Sequence, residues 1–108
     1  MERFYKIFIT INSLDISLDE LIIISFLYHQ WNLSIDTDSK SIINHLPRYS
    51  KSTIHRKLND LRTKNIIDYQ VDYDDGRKIK IIKGSKYQKL IDNIEQLYQK
   101  IQRLNVAV

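Results

Sequence analysis

Cysteine is absent from this chain of 108 residues. Its absence excludes disulfide frameworks, thiolate metal sites, cysteine nucleophiles and thiol redox switches. Proline occurs once and glycine twice, so Pro47, Gly76 and Gly84 mark the few turns that the sequence itself indicates. The apolar stretch at residues 21–27 is far too short to span a bilayer. Because the N-terminal segment also has no small-residue cleavage site, we expect a cytoplasmic protein that does not enter the membrane.

Positive charge is concentrated in the middle of the chain. Residues 1–39 carry two basic and six acidic side chains, whereas residues 40–89 carry thirteen basic and five acidic ones. A basic surface of this kind is expected where a protein lies against phosphates, although an ordinary solvated basic face has the same composition. The hydrophobic fraction of 43% is that of a folded domain, and the length allows one modest core.

Two amphipathic helices are predicted in the first third of the chain. The first, over about residues 2–13, has apolar side chains at helical spacing, namely Phe4, Ile7, Phe8 and Ile11. The second covers about residues 18–31 and begins at a capping box formed by Ser17 and Glu20. The connector that follows, residues 32–36, has room for a short strand.

Two further helices are joined by a tight turn. The third helix has Thr37 or Asp38 as its N-cap, and Pro47 ends it. Ser50 caps a fourth helix over about residues 51–64. The apolar side chains on its inner face are Ile54, Leu58 and Leu61. Two helices joined by a three-residue turn are the helix-turn-helix pattern.

After the fourth helix, the spacing of the apolar residues changes from a helical one to an alternating one. Alternation over about residues 66–83 predicts two strands, and the dipeptide formed by Asp75 and Gly76 favours a tight hairpin between them. From residue 85 onward, apolar side chains at spacings of four and three predict a helix of about twenty residues. These side chains are Leu90, Ile94, Leu97, Ile101 and Leu104.

These elements predict a winged helix-turn-helix, mainly α with a small β-hairpin (α+β). We expect a single domain, with an N-terminal helix in residues 1–16, a winged core in residues 17–83 and a C-terminal helix in residues 84–108. The terminal helices would expose apolar surface unless they met other helices, so we expect a homodimer interface there. The predicted interface residues are Phe4, Ile7, Phe8, Ile11, Leu90, Ile94, Leu97, Ile101 and Leu104. The alternative is that the last helix packs only on its own domain.

The fourth helix and the hairpin carry the side chains expected of a protein that binds double-stranded DNA. The helix has polar side chains near its N-terminal end, where base edges and phosphates can be reached. Arg77 is suited to enter a minor groove, and Asp75 can hold its guanidinium. The predicted DNA contacts are Arg48, Tyr49, Ser50, Lys51, Ser52, Thr53, His55, Arg56, Asn59, Asp75, Arg77, Lys78 and Lys80. The alternatives are a solvated helix face and a hairpin turn charged only for solubility.

Residues 50–79, with the sequence SKSTIHRKLNDLRTKNIIDYQVDYDDGRKI, resemble the recognition helix and wing of the MarR family of regulators. A polar Ser-Thr helix start, a leucine-spaced helix, an Ile-Ile strand and an Asp-x-Arg wing follow in the family's order. The short length and the segment KSIINHL at residues 40–46 are most similar to the staphylococcal SarA subgroup. The resemblance implies a dimer of winged helices in which Asp75 and Arg77 serve the wing.

The sequence departs from the family pattern in three respects. Asn65 stands where a glycine usually ends the recognition helix, and asparagine tolerates the same left-handed backbone. The short termini leave less room for the ligand crevice of many members, so the sequence does not decide whether a small-molecule effector binds. The thiol sensor of some relatives is excluded because cysteine is absent.

The sequence therefore predicts a transcriptional regulator that binds duplex DNA as a dimer. A plasmid, phage or viral protein for replication initiation or partition would use the same surface, as would a winged helix that contacts only proteins. His29, His45 and His55 lie on separate predicted helices without ligand spacing, so no metal site is expected. Paired catalytic carboxylates, a Gly-rich phosphate loop and a nucleophile–base arrangement are missing, so neither enzymatic activity nor a cofactor is expected.

Overall fold

A computed structural model describes residues 5, 9, 12–74, 76 and 78–106, with side chains as far as residue 103. Its helices are α1 (Leu18–Asn32), α2 (Ser39–His45), α3 (Lys51–Thr63) and α4 (Tyr87–Val106), and its strands are β1 (Ile67–Asp72) and β2 (Lys78–Lys83). In the predicted N-terminal helix, Tyr5, Ile9 and Asn12 are helical. Phe4, Ile7, Phe8 and Ile11 lie outside the described residues. The chain divides into two compact units, residues 18–87 and residues 1–17 with 88–108.

The unit of residues 18–87 is built around aliphatic side chains from α1, α2, α3 and β1. Those with at most 2% of their surface exposed are Ile23, Ile24, Leu27, Ile42, Ile54, Leu58, Leu61 and Ile67. The three from α3 follow the spacing i, i+4, i+7, which places them on one side of the helix. The inner face predicted for this helix is therefore confirmed, and its opposite side faces solvent.

The start of α2 settles which residue is its cap. Asp38 is the N-cap, and its Oδ1 atom accepts hydrogen bonds from the Ser41 amide and hydroxyl, both at 2.9 Å. Thr37 is instead buried and forms an isolated antiparallel bridge with Ile81, in which the Ile81 amide donates to the Thr37 carbonyl at 2.8 Å. Thr37, which follows the connector, thus adds a short third segment to the edge of β2.

The helix-turn-helix pattern is confirmed. α2 ends at His45, and Pro47 lies in the turn that leads to Ser50. Ser50 is the N-cap of α3, where its Oγ atom accepts a hydrogen bond from the Thr53 amide at 3.1 Å. Beyond the end of α3, Asn65 has a φ angle of 63°, the left-handed conformation expected there.

The two strands form an antiparallel hairpin that begins with the pair Ile67 and Lys83 and ends with Asp72 and Lys78. The ladder is shorter than the alternation predicts, because Tyr73 lies in the turn. The Asp74 amide donates to the Asp72 side chain at 3.1 Å, which bends the chain before the glycine. The connection is therefore residues 73–77, longer than a two-residue turn, and Gly76 has the expected positive φ of 63°.

The last helix has the length that its apolar spacing predicts, 20 residues. Its apolar side chains differ in exposure. Leu90, Ile91 and Leu97 are buried in the single chain, whereas Ile94 and Ile101 are half-buried. Leu104 lies beyond the described side chains. No helix in the described part of the chain has both the length and the hydropathy needed to cross a membrane.

The Asp38 cap gives a stability prediction. Removing the capping oxygen with Asp38→Ala should lower the free energy of unfolding at neutral pH by about 1 kcal/mol, measured by urea denaturation. The hydrogen bond from the Ser41 amide lowers the pKa of Asp38. The stabilisation is therefore present above the unfolded carboxyl's pKa of about 3.9 and is lost as pH falls through the lower folded value.

The control for this prediction is Asp38→Asn, because asparagine caps helices about as well as aspartate but does not titrate. This variant should keep most of the stability at neutral pH and lose the part of the acid dependence due to Asp38. Equal stability of the wild-type protein and Asp38→Ala at neutral pH would contradict the assignment of the cap.

Candidate nucleic-acid interface

The outer face of α3 is polar and open to solvent. Because the aliphatic side is buried, the remaining positions project away from the core. The exposed predicted contacts on this face are Lys51, Ser52, His55, Arg56 and Asn59. They include two cations and an amide, groups that bind phosphates and base edges. Five of the predicted contacts thus share one exposed helix face, and a sixth, the half-buried Thr53, lies on the same helix.

The first turn of α3 is held by a network of hydroxyl groups. The Ser50 hydroxyl lies 3.1 Å from that of Ser52 and 2.8 Å from that of Thr53, in addition to accepting from the Thr53 amide. These contacts link the N-cap to the second and third residues of the helix. The positive end of the helix dipole lies at the same turn and favours a negative group such as a phosphate.

Tyr49, which the sequence predicts as a DNA contact, is bonded within the protein. Its hydroxyl donates to the Asp19 Oδ1 atom of α1 at 2.7 Å. This hydrogen bond raises the pKa of the Tyr49 hydroxyl, because it is donated by the protonated form. Tyr49 therefore ties the turn before α3 to α1, while its neighbour Arg48 is exposed. Sequence spacing gives no signal for this contact, because 30 residues separate the partners.

Two cations near the end of α3 are engaged by protein groups. Lys64 Nζ donates to both carboxylate oxygens of Glu20 at 3.1 Å, and Glu20 is buried. Arg62 Nε lies 3.3 Å from Asp68 Oδ1. The guanidinium carbon of Arg62 lies 4.8 Å from the centre of the Tyr69 ring, which joins the last turn of α3 to β1. Part of the positive charge counted in the sequence is thus balanced locally.

The lysines of the wing lie close to carboxylates. Lys78 and Lys80 are on the same face of β2, since residues two apart along a strand share a face. Lys78 Nζ lies 3.9 Å from Asp38 Oδ2, and Lys80 Nζ lies 3.8 Å from Asp36 Oδ2. A phosphate that approached these lysines would compete with Asp36 and Asp38. The sequence did not predict these pairs.

The remaining predicted contacts, Asp75 and Arg77, lie outside the described residues. Among the residues that are described, no group of three histidine, aspartate or glutamate side chains could hold a metal ion. Within the described residues, the candidate interface is therefore the outer face of α3 and the two wing lysines, all in the unit of residues 18–87.

The contact of Arg62 with Tyr69 gives a test of how α3 is joined to the wing. Arg62→Lys keeps a positive charge beside Asp68 but loses the planar group above the ring. We expect the free energy of unfolding to fall by about 0.5–1 kcal/mol in urea denaturation. In a Tyr69→Leu background the same change should cost much less, and an equal cost in both backgrounds would show that the stacking contributes nothing.

Comparison with known proteins gives matches in structure. No protein-family model matches the chain, and no curated protein sequence matches it significantly. A MepR variant from a multidrug-resistant Staphylococcus aureus isolate matches with a TM-score of 0.78 and 23% identity, over 98% of this chain and 74% of that one. A MepR variant bound to an oligodeoxyribonucleotide has a TM-score of 0.79 at 21% identity, over 98% and 75%. A MarR-like transcriptional regulator from Thermotoga maritima has 0.65 at 15%, over 98% and 79%.

These likenesses show the fold. The chain has a winged helix-turn-helix of the kind found in MarR-like regulators, as its helical spacing and hairpin predict. At 15–23% sequence identity, the likeness concerns the arrangement of helices and strands and nothing further.

Proposed function

We propose that the protein is a transcriptional regulator of the MarR family that binds duplex DNA as a homodimer. In this proposal α3 is the recognition helix and enters the major groove, while the wing approaches the neighbouring minor groove. The observation that carries the proposal is the two-sided character of α3. Its aliphatic face is fully buried, and its exposed face carries side chains suited to bases and phosphates.

The chemistry of the exposed side chains matches what a major groove offers. Arg56 can donate two hydrogen bonds to the acceptors of a guanine, and Asn59 can pair with an adenine. Lys51 lies in the first turn of α3, where its charge and the helix dipole both favour a phosphate. Sequence recognition and phosphate binding are thus available on a single rigid element.

The structural neighbours support the proposal from a second direction. One MepR structure holds an oligodeoxyribonucleotide, and the Thermotoga maritima neighbour is a MarR-like transcriptional regulator. Both are similar to this chain along almost all of its length. Regulation of transcription also accords with the expected cytoplasmic location and with the absence of catalytic groupings in the sequence. The SarA-like subgroup stays a prediction from the sequence.

The first test is the salt dependence of binding to duplex DNA. Affinity should fall steeply as salt rises, because phosphate contacts release counterions. Lys51→Ala should reduce the slope of log affinity against log salt by about 1. Because Arg56 is proposed to contact a base, Arg56→Ala should instead cost about 1–3 kcal/mol of affinity and relax the sequence preference. Lys89→Ala is the matched control, since Lys89 is exposed on α4 and outside the proposed interface. Binding that does not respond to salt, or slopes equal in all variants, would contradict the proposal.

The wing is tested separately. Arg77→Ala should weaken binding to duplex DNA by on the order of 1–3 kcal/mol if its guanidinium enters a minor groove. The far-UV circular dichroism and the denaturation midpoint should not change. Unchanged affinity would show that the wing does not use this arginine.

The proposed dimer involves the flank of α4 that is accessible in the single chain. Ile94, Tyr98 and Ile101 recur at helical spacing, and Tyr98 is 60% exposed. A stripe of this kind gains several kcal/mol when a second copy covers it, at about 25 cal/mol per Å². Leu90 and Leu97, also predicted at the interface, are already largely buried within the chain.

Because Leu97 is buried, a charge there would destabilise the fold whatever the oligomeric state. Tyr98→Glu places a charge on the accessible stripe instead and should yield monomers in sedimentation equilibrium. Gln96→Glu is the control, because Gln96 is exposed on another side of the same helix. If the Tyr98→Glu variant sediments as a dimer that is as stable as the wild-type dimer, the proposed interface is contradicted.

A further inference from the structure

We propose that Asp19 and Glu20, adjacent in the first turn of α1, hold the two ends of α3 and so fix the direction of its outer face. The inference rests on the proposed function, in which α3 is the recognition helix. It assigns to α1 a positioning role that apolar packing alone does not provide.

Asp19 holds the N-terminal end. It accepts the 2.7 Å hydrogen bond from the hydroxyl of Tyr49, the residue before the N-cap of α3. A hydrogen bond from a hydroxyl to a carboxylate at this distance is of the strong, charge-assisted kind. The Tyr49 amide also donates to the Leu46 carbonyl at 3.1 Å, so the backbone of the turn is held as well.

Glu20 holds the C-terminal end. Its carboxylate accepts two hydrogen bonds from Lys64, the C-cap residue of α3, and its side chain is only 5% exposed. The Lys64 amide donates to the Asp60 carbonyl at 3.1 Å, so the lysine backbone belongs to the last turn of the helix. A buried carboxylate needs such a partner, because burial without one leaves the desolvation of its charge uncompensated.

The two contacts restrict a motion that the apolar core restricts weakly. The hydrophobic contacts of Ile54, Leu58 and Leu61 decide which side of α3 is buried, but burial itself is non-directional and defines small rotations and shifts of the helix less closely than hydrogen bonds do. Hydrogen bonds depend on distance and angle. With one anchor near each end of a 13-residue helix, and both anchors on one turn of α1, α3 has a single preferred orientation.

Recognition of bases requires that orientation, because donors must meet base edges within hydrogen-bond distance. Phosphate binding is more tolerant, since Coulomb attraction varies slowly with distance. Loss of an anchor should therefore lower the ratio of specific to non-specific affinity. Simple loss of stability would reduce both in the same proportion.

The test that is independent of DNA is native-state hydrogen exchange on the free protein. Tyr49→Phe removes one hydroxyl and should speed exchange at the Thr53 and Ile54 amides roughly tenfold, as expected for a lost hydrogen bond to a charged group. Lys64→Met should speed exchange at the Asn65 and Ile66 amides by a similar factor. Lys64→Arg keeps the charge, so exchange at these amides should stay close to the wild-type rate. Tyr28→Phe and Glu95→Gln are controls at exposed positions.

Double-mutant cycles assign the effects to the pairs. Once Tyr49 is phenylalanine, Asp19→Ala should add little to the exchange rates. Once Lys64 is methionine, Glu20→Gln should restore part of the protection, because it removes the buried charge that Lys64 balances. Three results would each overturn the proposal. They are fully additive effects of the paired substitutions, an equal rise in amide exchange rates throughout the core of the unit, and unchanged exchange rates at the ends of α3. If Lys64→Met does not fold, the Asp19 and Tyr49 cycle still decides the N-terminal anchor, and Lys64→Arg reports on the other.

A second measurement uses DNA. Asp19→Ala changes a residue outside the predicted contacts and should lower affinity for a selected duplex about tenfold relative to a random duplex. If the wild-type protein binds no duplex, the proposed function fails while the exchange experiment still decides the anchors. If the wild-type protein binds and the variants keep its exchange rates and specificity ratio, the anchoring role alone fails.

Discussion

The buried aliphatic face of α3 is the constraint on which the rest of the structure depends. Ile54, Leu58 and Leu61 have no exposed surface, and each contributes about 1.5–3 kcal/mol by its burial. An exposed ion pair contributes at most about 1 kcal/mol. Interactions of surface charges are therefore too weak to reverse which side of α3 is buried, and its polar side faces solvent. The core thus decides which side of α3 faces solvent, and the two anchors on α1 set the finer orientation that we propose for base recognition.

The parts of the fold that the sequence predicts are local. Ser50 caps α3 through an amide three residues away, and Asn65 and Gly76 adopt positive φ angles where few other residues can. The apolar spacing of α3 identifies its inner face for the same reason, since helical periodicity acts over a few residues. These features need no knowledge of which distant segments meet.

The contacts that the sequence could not predict are distant along the chain. Tyr49 lies next to a basic helix and is predicted to contact DNA, whereas its hydroxyl donates to a carboxylate 30 residues away. Lys64 contacts Glu20 across 44 residues. The bridge between Thr37 and Ile81 lies between Asp36 and Asp38, the two carboxylates that contact the wing lysines. A charge count from the sequence includes these side chains among those free to bind DNA. The fold shows which of them already contact an opposite charge.

The apolar seam of α4 illustrates a different limit of sequence patterns. A spacing of four and three is the same whether the partner helix belongs to the same chain or to a second copy. The structure separates the two uses in part, because Leu97 is buried in the single chain while the adjacent Tyr98 is exposed. The accessible surface includes Ile94 and Ile101 of the predicted seam together with Tyr98 beside it.

The central claim, that α3 recognises duplex DNA, is tested most directly by selecting bound sequences from a random duplex pool with the wild-type protein. The expected result is enrichment of a pseudo-palindromic site whose half-sites are about 10 base pairs apart, because two copies of α3 would occupy successive major grooves. A pool that remains random after repeated selection would contradict the claim.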